Sequence, residues 1–140
     1  MTFEYLEHTA DIAIRLRAPD LPGILKAATL ALRDIFAGPA RAGRGEAVGV
    51  SLEAEDGEAL LIDYLNELIF LFDTRRFLPA SLDVTRLVSN GLTRLEGTVS
   101  GETFDPACHV LKTEVKAATF HAIRIRRCAG ELEVDVVFDL

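Results

Sequence analysis

The sequence has no tryptophan, one methionine and two cysteines, Cys108 and Cys128. Two distant cysteines make no disulfide framework, so the expected compartment is a reducing one, the cytoplasm. There is no Cys-x-x-Cys and no His-x-x-x-His, so Cys108, His109, His121 and Cys128 lack the spacing of a compact zinc site. A cysteine–histidine nucleophile is not expected either, because no third orienting group or strand-turn-helix context accompanies the pair. Gly43-Arg44-Gly45 is too short for a phosphate cradle and is not followed by Lys-Ser/Thr. No apolar run approaches the ~18 residues of a membrane span, and no charged-then-apolar leader opens the chain. The expectation is a soluble protein with no membrane role.

Positive charge is also scarce. Fifteen Lys and Arg face 22 Asp and Glu, for a net charge of −7. That balance argues against gripping a phosphate backbone by bulk electrostatics, so no stable nucleic-acid binding is expected. It leaves room for a basic protein partner and suits a cation site. The local basic clusters, Arg41/Arg44 and Arg124/Arg126/Arg127, read as solvated surface.

What is present is a globular composition, with 49% hydrophobic residues in a chain of 140. That length is most simply one domain, residues 1–140, large enough to bury a core without staples. Residues Phe3 to Glu7 alternate as a strand, and Ile12, Ile14 and Leu16 alternate with Ala13, Arg15 and Arg17 as a second. Asp20 reads as a helix N-cap with Pro22 in the first turn. Ile24, Leu25, Ala28, Leu32, Ile35 and Phe36 recur at helical spacing, and Gly38-Pro39 ends the run.

Val48, Val50 and Leu52 mark a third strand. The turn Glu55-Asp56-Gly57 leads into a helix over about Glu58 to Phe72, apolar on more than one side. Its polar positions Asp63, Asn66, Glu67 and Asp73 read as a solvated face, with Asn66 and Glu67 as a less favoured partner surface. Asn90-Gly91 between Ser81–Val88 and Leu92–Ser100 predicts a hairpin. Asp105-Pro106 opens an irregular stretch containing Cys108 and His109. Residues Thr113–His121, Ala122–Arg127 and Leu132–Phe138 follow, with Gly130 in a turn. The whole predicts an α+β fold of about seven strands, in a mostly antiparallel or mixed sheet, with two main helices.

Polar chemistry concentrates at the two ends of the chain. Residues Glu7 to Asp11 pack two carboxylates, an imidazole (His8) and a hydroxyl between two strands. At the far end, Asp139 closes an apolar strand next to the terminal carboxylate of Leu140. If the ends meet, Asp11, Asp139 and Leu140 supply oxygen ligands suited to a hard divalent cation. A cation also offsets the repulsion of carboxylates brought together. Spacing alone is a weak signal, since an acidic residue at a strand end is usually solvated and a histidine there is usually structural. Lys116, between Val115 and Ala117, either extends its ammonium to water or pairs with a carboxylate such as Asp11 or Asp139.

Four segments together resemble the archease family. They are Tyr5-Leu6-Glu7-His8-Thr9-Ala10-Asp11, Leu60-Leu61-Ile62-Asp63-Tyr64-Leu65-Asn66-Glu67-Leu68, Glu114-Val115-Lys116-Ala117-Ala118-Thr119-Phe120-His121 and Val136-Val137-Phe138-Asp139-Leu140. They occur in the family's order across the full length. The resemblance implies an activator rather than an enzyme: a cofactor of the RtcB-type RNA ligase in tRNA splicing and RNA repair, promoting the guanylylation that permits multiple turnover. It implies a divalent metal site, usually assigned to calcium, formed here by Asp11, Asp139 and Leu140, the last through a main-chain or terminal oxygen. It implies a functional role for Lys116; His8 and Glu7 are read as supporting residues. Leu140 stands where isoleucine is usual, and some relatives carry aspartate at the position of Glu7. Two other readings compete: a small metal-dependent phosphoester hydrolase, and a chaperone-like scaffold using its apolar helices.

Overall fold

The computed structural model describes residues 1–7, 11–39, 45–120 and 123–140. Its elements run β1 (Thr2–Leu6), β2 (Ile12–Ala18), α1 (Leu21–Ala37), β3 (Glu46–Ala54), α2 (Gly57–Arg75), β4 (Phe77–Asn90), β5 (Leu92–Thr103), β6 (Ala117–Thr119), β7 (Arg126–Cys128) and β8 (Glu131–Asp139). The α+β expectation holds, with eight strands among the described residues where about seven were expected.

The strands form two antiparallel sheets. One runs β1-β2-β8-β6, with β7 also pairing β8; the other runs β3-β5-β4. The helices lie between them. Helix α1 packs on β1, β2 and β8 of the first sheet and on β4 of the second, while α2 packs on β3, β4 and β5 and reaches β6. This position explains why α2 buries an unbroken-looking set, Leu60, Leu61, Ile62, Tyr64, Leu65, Leu68, Ile69, Leu71 and Phe72. A helix with apolar partners on two sides needs no polar face there.

Local chemistry fixes the helix ends. The Asp20 carboxylate accepts the Gly23 N–H at 2.9 Å and the Asp56 carboxylate accepts the Ala59 N–H at 2.8 Å, satisfying donors that the first turn leaves orphaned. Inside the layer, the Tyr64 hydroxyl sits 2.6 Å from Thr29 Oγ1, which itself donates to the Leu25 carbonyl. Buried polar groups are tolerated when paired in this way.

The hairpin at Asn90-Gly91 forms as expected, with Asn90 opposite Leu92 and Gly91 at φ 91°. Its strands are longer than the sequence suggests. Strand β4 begins at Phe77 rather than Ser81, because Pro79 sits at a bulge where it removes no necessary ladder bond. Helix α2 likewise runs on from Phe72 to Arg75. Over the stretches Thr113–His121 and Ala122–Arg127 the described residues form the three-residue strands β6 and β7, and His121 and Ala122 lie outside the described residues.

Candidate functional site

Strand β8 is the middle of the site. On one side β2 runs antiparallel with Ile12 opposite Phe138. Continuing that register by one residue sets Asp11, just before β2, across from Asp139. On the other side β6 sets Ala117 opposite Asp139, and the Lys116 N–H donates to the Asp139 carbonyl at 2.9 Å. The two chain ends therefore meet at one end of the first sheet, with Lys116 as the flanking neighbour.

Alternation splits these residues between two faces. Ile12, Phe138 and Ala118 point toward the helices. Asp11, Asp139 and Ala117 follow the opposite parity, on the face shared with Arg15, Arg17, Glu133 and Asp135. Leu140 and Lys116 fall on the helix side, and together they line a cleft of about 370 Å³ with Phe72, Asp73, Arg76, Glu114 and Val115. Lys116 is exposed. Among the described residues the cations in ion pairs are Arg15, Arg17, Arg33, Arg94, Arg126, Lys112 and, when protonated, His109, so Lys116 pairs with neither Asp11 nor Asp139. Its ammonium is presented to solvent at the mouth of the cleft. Glu7 is exposed just beyond β1, and His8 lies outside the described residues.

The segment that carries Lys116 is held by a contact the sequence did not announce. The Asn66 side-chain amide donates to the Ala118 carbonyl at 3.2 Å and accepts the Ala118 N–H at 2.8 Å. It thus completes the outer edge of β6 as another strand would, and Asn66 is spent on the fold rather than free for a partner. Glu67 is half-buried beside it.

The open face behind Asp11 and Asp139 is a lattice of opposite charges. Arg15 grips Asp135 with two bonds, at 2.8 and 3.1 Å. Arg17 bonds Glu133 at 2.9 Å and Glu4 at 3.0 Å, and Arg126 also binds Glu133. The hydrogen bond from Arg15 holds the Asp135 carboxyl below its usual range, and those from Arg17 and Arg126 do the same for Glu133. Arg126 is therefore part of a pairing lattice and not the solvated cluster its sequence neighbourhood suggested.

A third polar cluster lies away from this end. Buried Arg33 bonds Glu102 at 2.8 Å, and His109 Nε2 is 2.9 Å from the same carboxylate. His109 Nδ1 accepts the Asp105 N–H at 2.9 Å, which leaves Nε2 as the donor to Glu102. Burial alone would raise the Glu102 carboxyl, but the bonds from Arg33 and His109 together hold it low. His109 is thus engaged at both ring nitrogens, and Cys108 is exposed with its thiol directed at Asp105.

As a metal site, the sheet end offers the right donor chemistry and, among the described residues, part of a ligand set. Asp11, Asp139 and the Leu140 oxygens are hard ligands suited to calcium, magnesium or manganese. Among the described residues no three His, Cys, Asp or Glu side chains gather closely enough to hold an ion. A calcium ion takes 6–8 oxygens, so most of the shell would come from main-chain or terminal oxygens, water or a partner.

The model of the Archease protein family (MTH1598/TM1083) matches residues 3–140. The chain belongs to the archease family. A protein archease of Pyrococcus furiosus is 36% identical over 125 residues, covering 89% of this chain and 88% of the relative. One from Archaeoglobus fulgidus is 33% identical over 140 residues, the whole of both chains. The solution structure of Methanobacterium thermoautotrophicum protein 1598 matches with a TM-score of 0.84 at 31% identity, covering 99% of this chain and 98% of that one. A Thermotoga maritima crystal structure, described as an archease and possible chaperone, matches with a TM-score of 0.62 at 23% identity over 96% and 94% of the two chains, a likeness of fold. Among the described residues, no helix of this archease-family protein is long and apolar enough to cross a membrane.

Proposed function

We propose that this archease-family protein is an activator of an RtcB-type RNA ligase, acting in tRNA splicing or RNA repair in the cytoplasm. It is not itself a catalyst. Its role is to promote loading of the ligase with GMP and so to allow repeated turnover. The observation that carries the reading is the meeting of Asp11, Asp139-Leu140 and Lys116 at one sheet end, through the β2–β8 register and the Lys116–Asp139 backbone bond.

In this reading Asp11 and Asp139 hold a divalent cation, calcium or another hard ion, with a main-chain or terminal oxygen of Leu140. The ion supplies positive charge at the surface that faces the ligase. The chain's own residues do the rest. Strand β8 fixes the spacing of the two carboxylates, since both are tied to a ladder that a packed core holds in register. Lys116 presents an exposed cation at the same sheet end, from the opposite face, able to contact an anionic group of the loaded ligase. His8 and Glu7 have supporting roles in this reading.

A hydrolase reading would need a positioned base. His109, the histidine among the described residues, is already bonded at both ring nitrogens. The test is ligase–GMP formation from GTP and Mn²⁺ with the cognate ligase, with and without this protein. Increased ligase–GMP and turnover are expected; no change with an active ligase overturns the proposal.

A further inference from the structure

A sheet edge is a row of unpaired backbone donors and acceptors, and folded proteins blunt such edges. Among the described residues four of the five edge strands are blunted, β7 by its length of three residues. The β6 edge is closed by the Asn66 amide. The β4 edge carries Pro79 and shifts register twice, at Pro79/Ser81 and Val84/Arg86. The β1 edge is five residues long and tied to α1 by the Tyr5 hydroxyl on Asp34. The β3 edge has none of these devices. It runs nine residues, Glu46–Ala54, pairs with β5 without a register shift, and contains no proline or lysine. Among the described residues nothing hydrogen-bonds its outer side.

We propose that β3 pairs antiparallel with β3 of a second copy of this chain, about a two-fold axis at Val50, joining two three-stranded sheets into one of six. The strand is its own complement in that register. Val50 meets Val50 of the second copy, and Val48 meets Leu52, so apolar residues on the helix-facing side lie against apolar residues. Gly49 meets Ser51 on the outer face, where small exposed side chains let the strands approach flat. Glu46 meets Ala54 and Ala47 meets Glu53, so no like charges stand opposed. Glu53 is already paired with Arg94 of its own chain at 2.6 Å. An extended peptide from another protein would need to match this pattern, whereas a second copy carries it. Each copy has a net charge of −7, so long-range repulsion opposes the pairing and salt relieves it.

Sedimentation velocity on the full chain, from micromolar to near-millimolar concentration, tests the proposal at physiological and at about 0.5 M salt. A reversible dimer favoured by salt is expected. The variant Gly49→Lys with Ser51→Lys sets lysines opposite lysines at the axis. No atom lies within 4 Å of a Cβ built at Gly49, and Ser51 already faces Glu96 of β5, so the fold tolerates both. The dimer dissociation constant should rise at least about tenfold, with an unchanged circular dichroism spectrum. Ser51→Lys alone is the reserve variant if the double one fails to fold. Hydrogen exchange adds an independent readout: amides within 46–54 should slow as concentration rises. A monomer at every concentration and salt overturns the proposal. So does a folded lysine variant that dimerises like the wild type, or protection that maps to β1 or β4 instead.

Discussion

The Lys116 N–H donates to the carbonyl of Asp139 at 2.9 Å, so the residue that presents an exposed cation is fixed by backbone to the residue that presents a carboxylate. Their side chains nevertheless leave on opposite faces of the sheet. Each can then be removed without disturbing the other's placement. Asp11→Ala and Lys116→Ala should each lower stimulation of ligase guanylylation at least about tenfold, the scale on which groups around a metal are felt. Neither side chain is part of the buried core, so thermal midpoints should move little. Stimulation that survives both substitutions would remove this sheet end from the function.

Asn66 makes a different kind of contribution. Its two bonds to Ala118 replace a strand that is not there. At about 1 kcal/mol net per bond, Asn66→Ala should cost about 2 kcal/mol in urea denaturation. Exposed Asp63 on the same helix is the control, and Asp63→Ala should stay within about 0.5 kcal/mol. Because β6 leads directly from Lys116, Asn66→Ala should also weaken ligase stimulation, while the Ala118 amide exchanges faster. An unchanged exchange rate at Ala118 would refute the edge-closing role.

Asn66 also shows where sequence reading stops. The elements themselves were legible, since Asp20 and Asp56 as caps, the two amphipathic runs and Asn90-Gly91 are local signals. The residues raised Asp11 and Asp139-Leu140 as a conditional pair, and only the family resemblance favoured it, because nothing local in either motif says that β2 lies beside β8. Asn66 and Arg126 looked like solvated polar residues because their partners, Ala118 and Glu133, become neighbours only through tertiary pairing. Strands β6 and β7 could not be delimited in the sequence, because each is three residues long and is set by its pairing with β8 rather than by a local pattern. Pro79 hid the start of β4, since a proline argues against a strand unless a bulge accommodates it.

Glu102 gives a pH dependence with a definite sign. Arg33 and His109 hold its folded-state carboxyl below the ordinary value, although burial opposes them. A depressed carboxylate contributes stability that is fully present above the unfolded value, about 4.3, and is lost as pH falls through the folded one. Stability should therefore decline with acid from roughly pH 5 downward, and Glu102→Gln should flatten that decline while lowering stability at neutral pH. Urea midpoints at several pH values measure both. An identical pH slope in the variant would show that Glu102 is not the group responsible; Asp135 and Glu133, held low by the arginines of the open face, would then account for it.

Gly101 and Gly49 occupy the same small sheet and should respond oppositely to alanine. A Cβ at Gly101 would lie 2.2 Å from the Leu78 carbonyl oxygen and 3.0 Å from the Phe77 ring. The close approach arises at the Pro79/Ser81 bulge, where β4 leans over β5, and the obstructing atom is backbone that cannot swing away. Gly101→Ala should cost about 3 kcal/mol or more, at the upper end of overpacking penalties. Gly49 has open space around its Cβ position and an ordinary strand conformation. Gly49→Ala should therefore leave stability unchanged or raise it by about 0.5 kcal/mol, since alanine loses less chain entropy on folding. Thermal denaturation of the two variants side by side decides the matter. Equal effects would mean that the bulge relaxes to admit a methyl group, and that Gly101 is not what lets β4 and β5 close at that point.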